Sequence, residues 1–147
     1  MNDGGPNVGV VVITHGQLAT ELLNAAEMIV GDLPRFAAVS IGWHDDVMVA
    51  REAIAKAIER VDSGAGVLLL TDMFGGTPSN LGLAFLEAGR VEVVTGVNLA
   101  MLIKLAKIPA SADVLTLART LCEDGKAAIR VASDLLRANR DSSVRET

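Results

Sequence analysis

The chain has 147 residues, 50% hydrophobic and 21% charged, and its 13 Lys+Arg against 18 Asp+Glu give a formal net charge of -5, which fits one ordinary domain around a single core. Its four aromatic residues, Phe36, Trp43, Phe74 and Phe85, and its acidic balance supply neither the stacking surface nor the positive field of a nucleic-acid binder. One cysteine, Cys122, excludes an internal disulfide framework and points to the cytosol, two histidines give no Cys/His metal set, and no apolar run approaches the ~20 residues that span a bilayer.

Val8–Ile13 is a nearly continuous β-branched run, the form of a strand buried on both faces of a parallel sheet. It stops at Thr14-His15-Gly16. Leu18, Leu22, Ala25, Ala26 and Ile29 then recur at helical spacing until Gly31-Asp-Leu-Pro34 ends the helix. Phe36–Ile41 predicts a second strand. The polar loop Trp43-His44-Asp45-Asp46 follows, in which Asp45 or Asp46 reads as a helix cap and His44 as a solvated loop residue. Val47, Ala50, Ile54, Ala57, Ile58 and Val61 mark a second amphipathic helix, closed by Ser63-Gly-Ala-Gly66.

Val67–Thr71 predicts a third buried strand, which runs into Asp72-Met-Phe-Gly-Gly-Thr-Pro78. After it, Leu81, Ala84, Phe85 and Ala88 lie on one helical face that Gly89 caps. A fourth strand, Val91–Thr95, leads through Gly96-Val97-Asn98 into a short helix from Leu99 to about Ala106. Pro109 separates a last region, where Val114, Leu117, Ala118 and Leu121 predict a helix that Gly125 ends and that holds Cys122 as a small core residue. Segment 126–136 fits two readings: Ile129 and Val131 alternate like a strand, whereas Ile129, Ala132 and Leu136 fit a helix. Residues 1–138 read as one domain, and 139–147 as a frayed polar tail.

Four strand-then-helix units predict an α/β fold: an open, doubly wound, mostly parallel four-stranded sheet with helices on both faces, in the common strand order 2-1-3-4. Ligands of such sheets sit beyond the carboxyl ends of the strands, where adjacent crossovers diverge. In that order His15 and Asp72 face each other. A neutral imidazole is a nucleophile, and a carboxylate on one ring nitrogen orients the ring and stabilises positive charge developing on it. Gly75, Gly76 and Thr77, just before Pro78, suit a helix start whose N–H groups and hydroxyl receive an anion. The loop lacks the Gly-Lys-Ser/Thr ending of a P-loop, which argues against a bound nucleotide. Thr14, Phe74 and Asn98 are candidates for the rim of the site, and the reading requires no metal and no cofactor.

At these residues the chain resembles the enzyme IIA component of the mannose-type phosphoenolpyruvate-dependent sugar phosphotransferase system. The resemblance rests on Ile13-Thr-His-Gly16 with Leu18-Ala19, Glu27-Met28, Leu70-Thr-Asp-Met-Phe-Gly-Gly-Thr-Pro-Ser-Asn80, and Thr95-Gly-Val-Asn-Leu-Ala-Met-Leu102. It runs from about Val8 to Lys107 and more loosely to Ala138. It implies that residues 1–138 form a mannose-type IIA domain and that His15 accepts a phosphoryl group on Nε2. Asp72 would then bond to Nδ1, and Thr77 would help hold the phosphoryl group. It also implies a phosphotransferase fed by a histidine-containing phosphocarrier protein, a IIB component in trans as acceptor, and a cytoplasmic homodimer. Within that dimer a fifth, antiparallel strand from segment 126–136 would be exchanged between subunits. A regulatory module, whose phosphorylation state signals metabolic status without sugar transport, is the alternative.

Overall fold

The computed structural model of the chain describes residues 7–107 and 113–145, so Pro109 and its expected break lie outside the described residues. The elements run β1 (Gly9–His15), α1 (Leu18–Val30), β2 (Phe36–Ile41), α2 (Val47–Val61), β3 (Val67–Thr71), α3 (Thr77–Leu83), β4 (Val91–Thr95), α4 (Leu99–Leu105), α5 (Val114–Ala127) and α6 (Ala132–Arg145). The four strands form one parallel sheet in the order β2-β1-β3-β4, the order expected from the sequence. Strand β1 runs two residues beyond the apolar run, because Thr14 and His15 still pair with Ser40 and Ile41 of β2.

Alternation along the central strands divides the core in two. Val10, Val12, Leu68 and Leu70 face one layer, where Ala19, Leu23 and Ala26 of α1 meet Leu102 and Leu105 of α4 and Leu117 and Leu121 of α5. Val11, Ile13, Val67 and Leu69 face the other, against Ala50, Ile54, Ile58 and Val61 of α2. Leu68, Leu69 and Leu70 are completely buried, and each contributes roughly 1.5–3 kcal/mol of burial free energy. A sheet covered on both faces leaves its strand ends as the place where the backbone meets solvent, and that is where the polar loops lie.

Three elements differ from the sequence reading. First, α3 stops at Leu83 rather than continuing through Ala88. Phe85 N–H donates to Gly82 O at 3.0 Å and Leu86 N–H to Leu83 O at 3.2 Å, and such i→i+3 bonds tighten a last turn. Glu87 and Val91 then exchange N–H···O bonds of 3.0 and 2.9 Å around Gly89, whose φ of +76 makes it a turn residue and not a helix cap. Second, α5 passes through Gly125, because that glycine serves helix packing: a Cβ there would lie 2.8 Å from Met101 Sδ of α4. Third, the ambiguous segment resolves into the end of α5, the irregular residues Ile129–Val131, and α6, which continues through the expected tail to Arg145. No fifth strand forms in the single chain among the described residues.

Gly9 shows how tightly β1 is packed against α2. A Cβ there would lie 2.3 Å from Val61 O and 2.6 Å from Val61 Cγ2, so β1 would have to move off the end of α2. Gly9→Ala is expected to destabilise the fold by about 1–3 kcal/mol, the range of core overpacking, read as a lower urea midpoint with an unchanged slope. An unmoved midpoint would show that this junction yields freely.

Candidate active site

His15 is the last residue of β1, and Gly16, with φ +56, turns the chain out of the sheet with its N–H on Ile41 O at 2.8 Å. The residue before it is fully buried: Thr14 Oγ1 accepts the Ala19 N–H at 2.7 Å and so ties down the first turn of α1, where Gln17 makes no side-chain cap. Thr14 therefore supports the site from below and contributes nothing to its rim.

Asp72 follows the last residue of the neighbouring strand β3. Its Oδ2 accepts two bonds from His15, one from the backbone N–H at 3.0 Å and one from ring Nδ1 at 2.8 Å, while Oδ1 accepts the Met73 N–H at 3.1 Å. Burial alone would raise the Asp72 pKa, but the ring and backbone bonds from His15 together outweigh it, and the carboxyl lies below its ordinary value. An ionised carboxylate only accepts, so Nδ1 is the donor in this contact, and in the neutral imidazole the lone pair then lies on Nε2. The His15 side chain is 52% exposed against 14% for Asp72. The carboxylate is thus the sheltered partner and the imidazole the presented one.

Gly75 and Gly76 have φ of +92 and +87, conformations that side chains other than glycine rarely adopt. A Cβ on Gly76 would lie 3.1 Å from His15 Nε2 and 3.2 Å from Cε1, so the missing side chain leaves space beside that nitrogen. Thr77 opens α3, with Pro78 in its first turn. A cleft of about 650 Å³ brings His15, Gly76 and Thr77 together with Gly42, Trp43 and Asp45 of the loop between β2 and α2, and among the described residues no Lys or Arg lines it.

The other two rim candidates lie apart from the cleft lining. Asn98 caps α4, its Oδ1 accepting the Met101 N–H at 3.0 Å, while its Nδ2 donates to Gly125 O at 3.3 Å. Phe74 stands 75% exposed on the loop between β3 and α3. Sequence reasoning missed the wall made by Trp43 and Asp45, having read 43–46 only as a polar loop. The signal was the strand order itself, since β2 borders β1 and its carboxyl end opens on the same crevice. His44 is exposed, and Cys122 is partly buried on α5. Among the described residues, no three His, Cys, Asp or Glu side chains gather to hold a metal ion, and no helix is long and apolar enough to cross a membrane.

Residues 9–121 match the protein family EIIA-man, described as "PTS system fructose IIA component". The chain is 34% identical over 103 residues to the PTS system mannose-specific EIIAB component of Escherichia coli, matching 66% of this chain and 30% of that protein, so it spans about a third of that relative. It is 26% identical over 140 residues to the PTS system fructose-specific EIIA component of Bacillus subtilis, covering 92% of this chain and 96% of the other. The crystal structure of the mannose/sorbose specific IIA subunit of the phosphotransferase system from Enterococcus faecalis superposes with a TM-score of 0.76 at 31% identity, over 85% of this chain and 94% of that one.

Because the folded Asp72 pKa is depressed, its contact with His15 contributes stability above the unfolded aspartate value of about 3.9 and loses it as pH falls through the folded midpoint. The stability gap between the wild type and Asp72→Asn should therefore narrow as denaturation is measured at progressively lower pH. A gap that widens on acidification would reverse the sign assigned to this contact.

Proposed function

The chain belongs to the family of mannose- and fructose-type IIA components of sugar phosphotransferase systems, and on that premise we propose that it is a phosphocarrier whose covalent relay is His15. One observation carries this reading: a half-exposed imidazole with Nδ1 held by a carboxylate and Nε2 left open by a glycine. In the proposed cycle, a phosphorylated histidine carrier protein docks over the cleft in the cytoplasm. The Nε2 lone pair of His15 attacks phosphorus as the P–N bond of the donor breaks, and the donor ring keeps that electron pair. No proton need move, because Nδ1 retains its hydrogen.

The positive charge that develops on the His15 ring is opposed by Asp72 across 2.8 Å. The transferred group carries the negative charge, and it would be received by the Thr77 hydroxyl and by N–H groups of the Gly75–Thr77 turn. The reverse attack by a IIB component acting in trans would empty the site. Gly76 leaves room for both trajectories, since each must approach the same nitrogen.

Incubation with phosphoenolpyruvate, enzyme I and the histidine carrier is expected to give an acid-labile, base-stable phosphoprotein, with no label on His15→Ala. Asp72→Asn should fold and be labelled roughly 10–100-fold more slowly, the scale on which partners that orient a functional imidazole act. Undiminished label on His15→Ala would overturn the assignment. Transfer onward to a IIB component separates a transport relay from the regulatory reading, in which the phosphoryl group goes no further. Gly76→Ala is expected to abolish labelling while the His15–Asp72 contact survives, because the added methyl occupies the approach to Nε2. Normal labelling of that variant would move the attack away from this face.

A further inference from the structure

Two loops flank His15, one after each neighbour of β1. The loop after β2 carries Trp43, which is 100% exposed, and the loop after β3 carries Met73 and Phe74, 55% and 75% exposed. A chain with four aromatic residues in all leaves two of them exposed on these loops, and of the two Trp43 lines the cleft that holds His15. The Trp43 loop is not a slack tip. Asp45 Oδ2 accepts the Gly42 N–H at 2.6 Å, Asp45 N–H donates to Gly42 O at 3.3 Å, and Asp46 Oδ1 accepts the Met48 N–H at 2.7 Å. The loop is therefore anchored on both sides of the indole, which lowers the ordering cost of any contact that it makes.

The charge around this rim has one sign. Asp45 lines the cleft, Asp72 lies beneath the imidazole, and among the described residues no Lys or Arg lines the cleft to meet an incoming phosphoryl anion. The complement must come from the partner. The geometry points to Trp43 as the specificity-determining anchor for the phosphohistidine carrier that donates to His15, a protein surface that buries the indole and brings cationic side chains to the cleft. This inference rests on the phosphocarrier reading and adds to it the residue that selects the donor and the charge that the donor must carry. Large apolar anchors at the centre of an interface carry most of its binding energy, whereas charge complementarity sets register and encounter rate.

Trp43 is the chain's single tryptophan, so it is also its own probe. Adding the carrier should shift and quench the indole emission of the wild type. In carrier-dependent labelling, Trp43→Ala should raise KM for the phosphorylated carrier roughly 10–30-fold with kcat within about twofold, and Trp43→Phe should recover most of the loss. The wild-type KM should rise steeply with salt. Labelling by phosphoramidate, a small donor with no docking surface, reports independently that His15 reacts. If the wild type is labelled by neither donor, the phosphocarrier reading fails and this inference falls with it. If it is labelled but KM is unmoved in Trp43→Ala, or kcat falls instead, the role of Trp43 alone is overturned. A salt-independent KM overturns the cationic complement.

Discussion

The contact between Asp72 Oδ2 and both the backbone N–H and ring Nδ1 of His15 is the constraint on which the site depends. It exists only because β1 and β3 are direct neighbours in register, with Ile13 opposite Thr71, so that each strand's next residues emerge side by side. A one-residue slip would turn every side chain of β1 to the other face and carry His15 away from the carboxylate. That slip is forbidden by burial on both faces, since Val10 and Val12 belong to one core layer and Val11 and Ile13 to the other. The apolar strands thus position a polar pair at their carboxyl ends. Using one carboxylate oxygen for both backbone and ring also fixes the imidazole relative to its own main chain.

The electrostatics of the cleft are lopsided in a way that suits a relay. Asp72 is held ionised beneath the ring, while the cleft beside it is lined by glycine, threonine, Asp45 and an exposed tryptophan, with no Lys or Arg among the described residues. A site that gripped a phosphoryl group with Arg or Lys would deepen the bound state and slow its departure, because uniform binding does not lower the barrier of the next step. On the proposed reading, neutral dipoles hold the group enough to position it, and the carboxylate acts on the ring rather than on the phosphate. The cationic contribution is then present only while a partner is docked.

Legibility in the sequence followed how many physical demands a segment meets at once. Strands β2 and β3 were readable to the residue, because a short apolar run bounded by turn residues has few other uses. His15 and Asp72 were readable because strand order alone makes them neighbours. The end of α3 was not: Leu81 and Phe85 do pack on the second core layer, as the helical pattern required, but Phe85 does so from a turn that doubles back through Gly89. Gly125 misled for a related reason, since a glycine that ends a helix and one that admits a neighbouring helix look alike until Met101 is placed beside it. Asn98 and Thr14 lie next to site motifs in sequence, yet the polar atoms of Asn98 are committed to α4 and α5 and the Thr14 hydroxyl to α1.

The Trp43 loop shows a further division of labour. Residues that shape the candidate site are specified from inside the fold: Asp72 by strand pairing, Gly76 by the positive φ and the close approach to Nε2, and Thr14, beneath them, by burial. Trp43 is specified by nothing inside the fold, since it is wholly exposed and the bonds that shape its loop come from Gly42, Asp45, Asp46 and Met48. A position free of internal constraint can change identity without disturbing the His15–Asp72 pair, so on the proposed reading partner choice can vary there while the phosphoryl chemistry stays the same. The parallel sheet makes this separation possible by delivering loops from adjacent strands to one crevice, with each strand end free to serve a different purpose.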